Sequence, residues 1–441
     1  MAEAAPAAPA APPQNPDAVP VRALAASIAC LTASVMPGFL AGALGSDIKD
    51  EFAIGDTGLG MTLAATYLIS GVASIHAGEL SDRMGARRSL LLSMWVTVAG
   101  YLAVAVLARS FPTFLISMAV AGAGLTLAGP AAKVLVAQHV SAGRHGIAFA
   151  VHMSAIPLAP LLAGLTVPLV GGTEAWRWAF VGGAVLAVVG ILMLPAQKRA
   201  PEPRRAARGL PLWFAALTGR SGHGLARMSR TRAPVRSASE ATAPGRFAHV
   251  RLAPLFAFGA SATLASSAVF SAAAFFVVNS ESAGISEDSA GLLLSATSAG
   301  VIAARILLGL MADRGRTGDI LTVAVLLVAS AGGYTLMAAD IPWLYALGGQ
   351  IAIILGWSWP GLMVLALVRT NPHAPGLASS FAVGGLNLGA VVGPAAFGAI
   401  SDSASSSTAL AVAALWACAS AALCLLGRLI QHRSTVANPA A

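Results

Sequence analysis

The chain has 441 residues, 57% of them hydrophobic and only 10% charged. A soluble domain carries about 25% charged residues, so this composition excludes a soluble globular enzyme, a disordered chain and a disulfide scaffold. In so apolar a chain the net charge of +9 is an orientation signal rather than a nucleic-acid footprint, and no nucleic-acid partner is expected.

Residues 1–21, rich in Ala and Pro and nearly uncharged, read as a disordered cytoplasmic tail. They lack the basic stretch of a cleaved signal peptide, so the first span is expected to be retained. Apolar spans follow at 22–46, 57–79, 89–108, 112–138, 146–170 and 174–196. A polar stretch, 197–251, interrupts them. Six more follow at 252–279, 289–311, 318–339, 341–368, 376–400 and 407–428, before a cytoplasmic tail at 429–441. Each span has the length that an α-helix needs to cross a bilayer, and none alternates as a barrel strand would. The expected fold is an all-α membrane protein of twelve transmembrane helices in two six-helix bundles, 22–196 and 252–428. Cys30, Cys418 and Cys424 fall in apolar stretches without metal-ligand spacing. They read as small buried hydrophobes, and neither a disulfide framework nor a metal site is expected.

The central stretch carries twelve Lys and Arg against Glu202 and Glu240, which assigns it to the cytoplasm. Within it, Leu210 to Leu217 reads either as an interfacial segment or as part of a solvated linker. With that loop inside, Lys49, Arg109 and Arg177 are the only basic residues left in outer connections, where Asp50, Glu51, Asp56, Glu281, Glu287 and Asp288 also fall. Both termini are therefore expected in the cytoplasm. Trp176-Arg177-Trp178, at the outer end of span six, reads as an interfacial anchor.

The two halves match at a shift of 230–231 residues along the chain. Gly78-Glu79-Leu80-Ser81-Asp82-Arg83 follows span two, and Gly309-Leu310-Met311-Ala312-Asp313-Arg314 follows span eight. Gly129-Pro130 in span four corresponds to Trp359-Pro360 in span ten. Two six-span halves in parallel relation imply a transporter, with its site near mid-bilayer between the halves. The run from Gly78 through Gly85 to Arg87-Arg88 resembles the loop 2–3 signature of the major facilitator superfamily, and the resemblance covers about residues 22–428. It implies a secondary transporter working by alternating access, not an enzyme. It also implies a conformational latch of Gly78, Asp82, Arg83, Gly85 and Arg87, with Gly309, Asp313 and Arg314 as counterpart and Asp82 meeting the start of span eleven near Pro375-Gly376. Arg outnumbers Lys 24 to 3, the codon bias of a GC-rich bacterium, so the expected location is the bacterial cytoplasmic (inner) membrane.

No Asp or Glu falls in the core of a span, whereas Arg305 lies in span eight, Lys133 in span four, His152 in span five and His76 near the inner end of span two. An ionisable residue within a bilayer is a functional candidate by default. A buried cationic cargo needs a counter-charge, so this set favours a small organic or inorganic anion, which a guanidinium grips with two prongs. Arg305, four residues before Gly309, also resembles the substrate-binding position of monocarboxylate-type facilitators. Snorkelling or packing against backbone carbonyls is its competing role, and snorkelling competes with cavity lining for Lys133. His152 is the candidate proton carrier, because its ordinary pKa is near physiological pH. A structural role competes for it and is the expected one for His76. The resemblance places spans one, four, seven and ten around the cavity, which adds Thr32, Ser34, Trp357 and Trp359. Asn387 on span eleven is a further hydrogen-bonding candidate. Gly389-x3-Gly393-Pro394 resembles the Gly-Pro motif of antiporters but stands in span eleven instead of span five, so close packing and bending are its expected work.

The expected partners are a small anionic substrate, the lipid bilayer and protons, with no cofactor and a monomeric protein. Proton-driven multidrug efflux is the alternative, with Asp47 as its acidic candidate. A membrane-bound sensor or enzyme is a further alternative, for which the sequence offers no nucleophile cluster, phosphate loop or soluble domain.

Overall fold

The computed structural model describes residues 21–140, 145–171, 174–195, 252–314, 319–371 and 374–436. The N-terminal tail, the central stretch with Leu210 to Leu217, and residues 437–441 lie outside them. The described chain is a succession of helices. Span one is α1 (Val21–Ala43), followed by the eight-residue α2 (Gly45–Phe52). Ala53 adopts a left-handed backbone, φ 50°, and α2 makes an angle of 112° with α3 (Asp56–Met84), which is span two. Gly85, at φ 81°, separates α3 from α4 (Ala86–Leu107). A residue with a Cβ would be strained there, which gives one member of the expected latch a backbone reason of its own.

Span four is the pair α5 (Phe111–Ala123) and α6 (Leu125–His139), and span five the pair α7 (His145–Met153) and α8 (Ala155–Val170). Span six is α9 (Arg177–Met193). The second half comprises α10 (Leu252–Ala274), α11 (Glu287–Asp313), α12 (Ile320–Met337), the pair α13 (Pro342–Gly356) and α14 (Trp359–Thr370), α15 (Pro375–Ser403) and α16 (Ser406–Val436). Among the described residues, ten helices or joined pairs are long and apolar enough to cross a membrane. With α2, α3 makes an eleventh as a bent pair, and α9 is apolar but shorter, at 17 residues. Each of the twelve expected spans thus has its helix or broken pair. The last runs to Val436, past the predicted end at 428.

Proline and glycine set the helix contacts. Pro37 has no N–H for the carbonyl four residues back, that of Ala33, and the Tyr101 hydroxyl donates to it from α4 at 2.8 Å. The α5–α6 break falls at Gly124, whose carbonyl accepts from the Ser93 hydroxyl at 2.6 Å. In α15, Gly385, Gly389 and Gly393 recur every four residues against α10. A Cβ on each would lie 2.3, 2.3 and 2.4 Å from Gly259 O, Thr263 O and Ser267 Cα. The Gly389–Gly393 motif therefore packs two helices of one half together, as expected of small residues four apart.

The bundle has two ends, one carrying α2 and the other Gly85. Near the α2 end the halves meet backbone to backbone. A Cβ on Gly42 would lie 2.2 Å from Ala274 O, on Gly60 2.3 Å from Pro394 O, and on Gly164 2.4 Å from Gly291 O. Toward the Gly85 end, Gly129, Gly361, Gly376 and Gly384 meet nothing within 4 Å, and Leu68 and Val72 of α3 are 50% and 68% exposed. The halves are therefore closed on each other at the α2 end, whereas these glycines of α6, α14 and α15 make no such backbone contact.

Candidate functional site

Arg305 sits where the halves meet. Pro157 in α8 has no N–H to give to the Met153 carbonyl four residues back. The α13–α14 break at Trp357–Ser358 likewise frees the Trp357 carbonyl. Arg305 answers both: Nε donates to Trp357 O at 2.9 Å, and Nη1 donates to Met153 O of the other half at 3.3 Å. Its guanidinium lies 5.8 Å from the centre of the Trp357 ring. Among the described residues no carboxylate pairs with Arg305 or with Lys133, and Nη2 has no protein partner.

His152, at the end of α7, is fully buried. The Ser27 hydroxyl donates to Leu24 O at 2.7 Å, so its oxygen accepts from His152 Nδ1 at 3.2 Å. This pattern assigns the Nδ1–H tautomer. Nε2 is left as a buried nitrogen without a partner among the described residues. Lys133 is exposed on α6, one turn from the open Gly129, and stands within electrostatic reach of His152. Arg305 thus touches the backbone of Met153, the residue after His152, and Lys133 acts on His152 from α6.

A cluster of four rings adjoins Arg305 through Trp357. Phe39 stacks on Phe270 at 6.1 Å, Phe270 meets Trp357 at 4.6 Å, and Tyr67 meets Phe270 at 5.5 Å. All four side chains are buried. Phe39 and Phe270 are separated by the same shift as Gly78 and Gly309, so α1 and α10 bring equivalent rings of the internal repeat together. The repeat shift applied to Phe39 would have found this pair.

The remaining candidates are dispersed. Thr32 and Ser34 are fully buried, and their hydroxyls donate to Ala155 O at 3.1 Å and Cys30 O at 2.9 Å. Trp359 is buried in the core of the second half with Phe258 and Leu255, its indole N–H without a partner among the described residues. Asn387 is half-buried on α15, one turn from Val391, which approaches Gly71 of α3. Trp176 is a core residue, 1% exposed, so only Trp178, at 68%, fits the expected interfacial anchor. Cys30 and Cys424 are buried, and Cys418 is exposed.

Of the expected latch, Arg83 and Arg314 are exposed, and Gly309 faces open space. Arg87 Nε donates to Pro195 O at 3.2 Å, a contact within the first half. The side chains of His76, Asp82 and Asp313, and the surroundings of Gly78, lie outside the described residues.

Twin helical halves of membrane-spanning length thus meet around a buried, proline-notched centre. Residues 23–278 and again 255–440 match the Major Facilitator Superfamily, and the chain belongs to that family. A facilitated glucose transporter, member 10 of solute carrier family 2 from Danio rerio, is 28% identical over 169 residues, or 36% of this chain. The chain spans about a third of that curated relative's length, 32%. A D-xylose-proton symporter has the same fold, with a TM-score of 0.69 at 16% identity, covering 93% of this chain and 97% of that one. A bacterial homologue of the human lysosomal transporter Spinster, inward-facing and occupied, gives 0.66 at 14% identity over 93% and 97% of the two chains. Its unoccupied form gives 0.62 at 14% identity over 94% and 97%.

Proposed function

We propose that the chain carries a small organic or inorganic anion across a bacterial cytoplasmic membrane by alternating access, coupled to protons. The observation that carries this reading is the guanidinium of Arg305, enclosed between the halves with carbonyls and no carboxylate among the described residues. A buried cation without a counter-ion is costly, and an anionic cargo supplies one. Lys133 adds a second positive charge on α6. His152, with its bare Nε2, takes the proton. The Gly85 end faces the cytoplasm, because the loops there hold most of the basic residues. The protein acts as a monomer, and Asp82, Arg83 and Arg87 act with Asp313 and Arg314 as its latch on that side.

A sugar cargo is the second reading, favoured by the glucose and xylose transporters among its relatives. Vesicles holding the protein are offered, in turn, a labelled short monocarboxylate, inorganic phosphate and glucose from outside, with and without a pH gradient. Anion uptake that Arg305→Ala abolishes at normal protein levels supports the anion reading. Glucose uptake that survives Arg305→Ala, with no anion uptake, overturns it.

A further inference from the structure

Helix α3 has no side-chain cap of its own. Its N-cap is Gly55, and the first N–H groups of a helix need acceptors. They find them in the other half of the protein. Asp402, near the end of α15, accepts from Asp56 N at 2.8 Å through Oδ1 and from Thr57 N at 2.7 Å through Oδ2. Gly55 makes the approach possible, because a Cβ there would lie 2.6 Å from Asp402 Oδ2. The neighbouring residue returns the contact. Asp56 accepts from the Ser401 hydroxyl at 2.5 Å through Oδ2 and is paired with Lys49 at 2.7 Å through Oδ1. One turn earlier in α15, a Cβ on Gly398 would lie 2.2 Å from Asp56 O.

We propose that Asp402 is a clasp: it caps α3 from the opposite half, holds the α2 end shut, and must let go each time that end opens. The cap is borrowed. When the halves part at the α2 end, two helix N–H groups lose a charged acceptor aligned with the helix dipole. Every state closed at this end keeps these bonds and every state open there lacks them, so their free energy enters the equilibrium between the two in full. Asp402 is a positioning residue that acts through α3 and touches no cargo, and its role does not depend on what the cargo is.

The test uses full-length protein in detergent, where both ends meet water, in a Cys418→Ser background. Cys30 and Cys424 are buried. Ser295→Cys reports on the seam: Ser295 is 7% exposed, and its hydroxyl donates to Leu161 O of the other half at 2.9 Å. Ser330→Cys, 1% exposed inside the second half, is the control. Adding Asp402→Ala is expected to raise the rate at which a water-soluble maleimide labels Ser295→Cys by roughly tenfold to a hundredfold, the range for a hydrogen bond to a charged group. Labelling of Ser330→Cys should not change. Gly55→Ala, which pushes the carboxylate away from the other side, should act in the same direction. Combined with Asp402→Ala, it should add nothing further. Asp402→Asn, which keeps one acceptor oxygen without the charge, should fall between. Unchanged seam labelling in both single variants would overturn the clasp, as would a parallel rise at Ser330→Cys, which marks general loosening. If Asp402→Ala does not yield folded protein, Gly55→Ala and Ser401→Ala decide by the same measure.

Discussion

Arg177 offers the sharpest stability test. Its guanidinium forks onto both carboxylate oxygens of Glu51 in α2, and Nη2 also donates to the Ala108 carbonyl at 2.7 Å, just past the end of α4. It lies 4.4 Å from the centre of the Trp176 ring, and the Trp176 indole N–H donates to Glu51 at 2.8 Å. Side-chain exposure is 16% for Arg177 and 35% for Glu51. At that exposure the ion pair contributes about 1 kcal/mol. The charged bond to Ala108 adds about 1.5 kcal/mol, and the ring contact about 0.5 kcal/mol. The Arg177 Nε–H, buried without a partner among the described residues, offsets about 1 kcal/mol of this. Arg177→Ala should therefore cost about 2 kcal/mol, a roughly thirtyfold change in the unfolding constant. Arg177→Lys keeps the charge without the fork and should cost about half as much. Equilibrium unfolding in detergent measures both. Trp178→Ala, on the lipid side, should change little. If Arg177→Ala stays as close to wild type as Trp178→Ala does, the tie between α2, α4 and α9 does not hold the first half together.

Four further outcomes follow from the packing and the site. Gly122→Ala would place a Cβ 1.7 Å from the Thr66 carbonyl of α3. Because that atom is backbone, the variant should lose most of its monodisperse yield on size exclusion, and a normal yield would contradict the helix contact. On the proposed anion reading, Lys133→Met should raise KM for the transported anion about tenfold with a smaller change in kcat. His152→Gln should abolish accumulation driven by a pH gradient while exchange of cargo across the membrane continues; gradient-driven uptake by that variant would remove His152 from coupling. Asp319 caps α12 by accepting from the Thr322 hydroxyl and, at 2.9 Å, from its N–H. These bonds, the hydroxyl's first, hold its carboxyl below the usual range. A carboxyl lowered in the folded state stabilises above its unfolded pKa and ceases to do so as pH falls through the folded one. Asp319→Ala should cost about 1 kcal/mol at neutral pH, a loss that shrinks toward zero in acid unfolding profiles.

The spans were legible because a bilayer demands long apolar runs, and the repeat was legible because Gly78 to Arg83 and Gly309 to Arg314 keep one offset between equivalent loops. The breaks inside spans four, five and ten were not, since hydropathy continues through Gly124, Ser154 and Ser358 without interruption. Their prolines were visible, however, and the rule that Pro157 strands the Met153 carbonyl can be read from the sequence; only the donor, far along the chain in the other half, cannot. Arg305 was found because a charge inside a span stands out. Asp56 and Asp402 were hidden by the opposite circumstance. They lie at span ends, where acidic residues are ordinary, and nothing in the chain between them records that they meet. Trp176 and Trp178 differ by two positions on a helix, about 200° of rotation, so one faces the core and the other the lipid.

Helix α9 has a consequence for the surrounding membrane. Its 17 residues rise about 26 Å, short of the about 30 Å hydrocarbon slab, whereas the 29 residues of α15 rise about 44 Å. Trp178, Val185, Val189 and Leu192 present the short helix directly to acyl chains. With the 3-10 turn Glu174–Trp176 before it, this flank only just matches the hydrocarbon thickness, whereas the other exceeds it. Bilayers of different thickness will make the protein lean by different amounts.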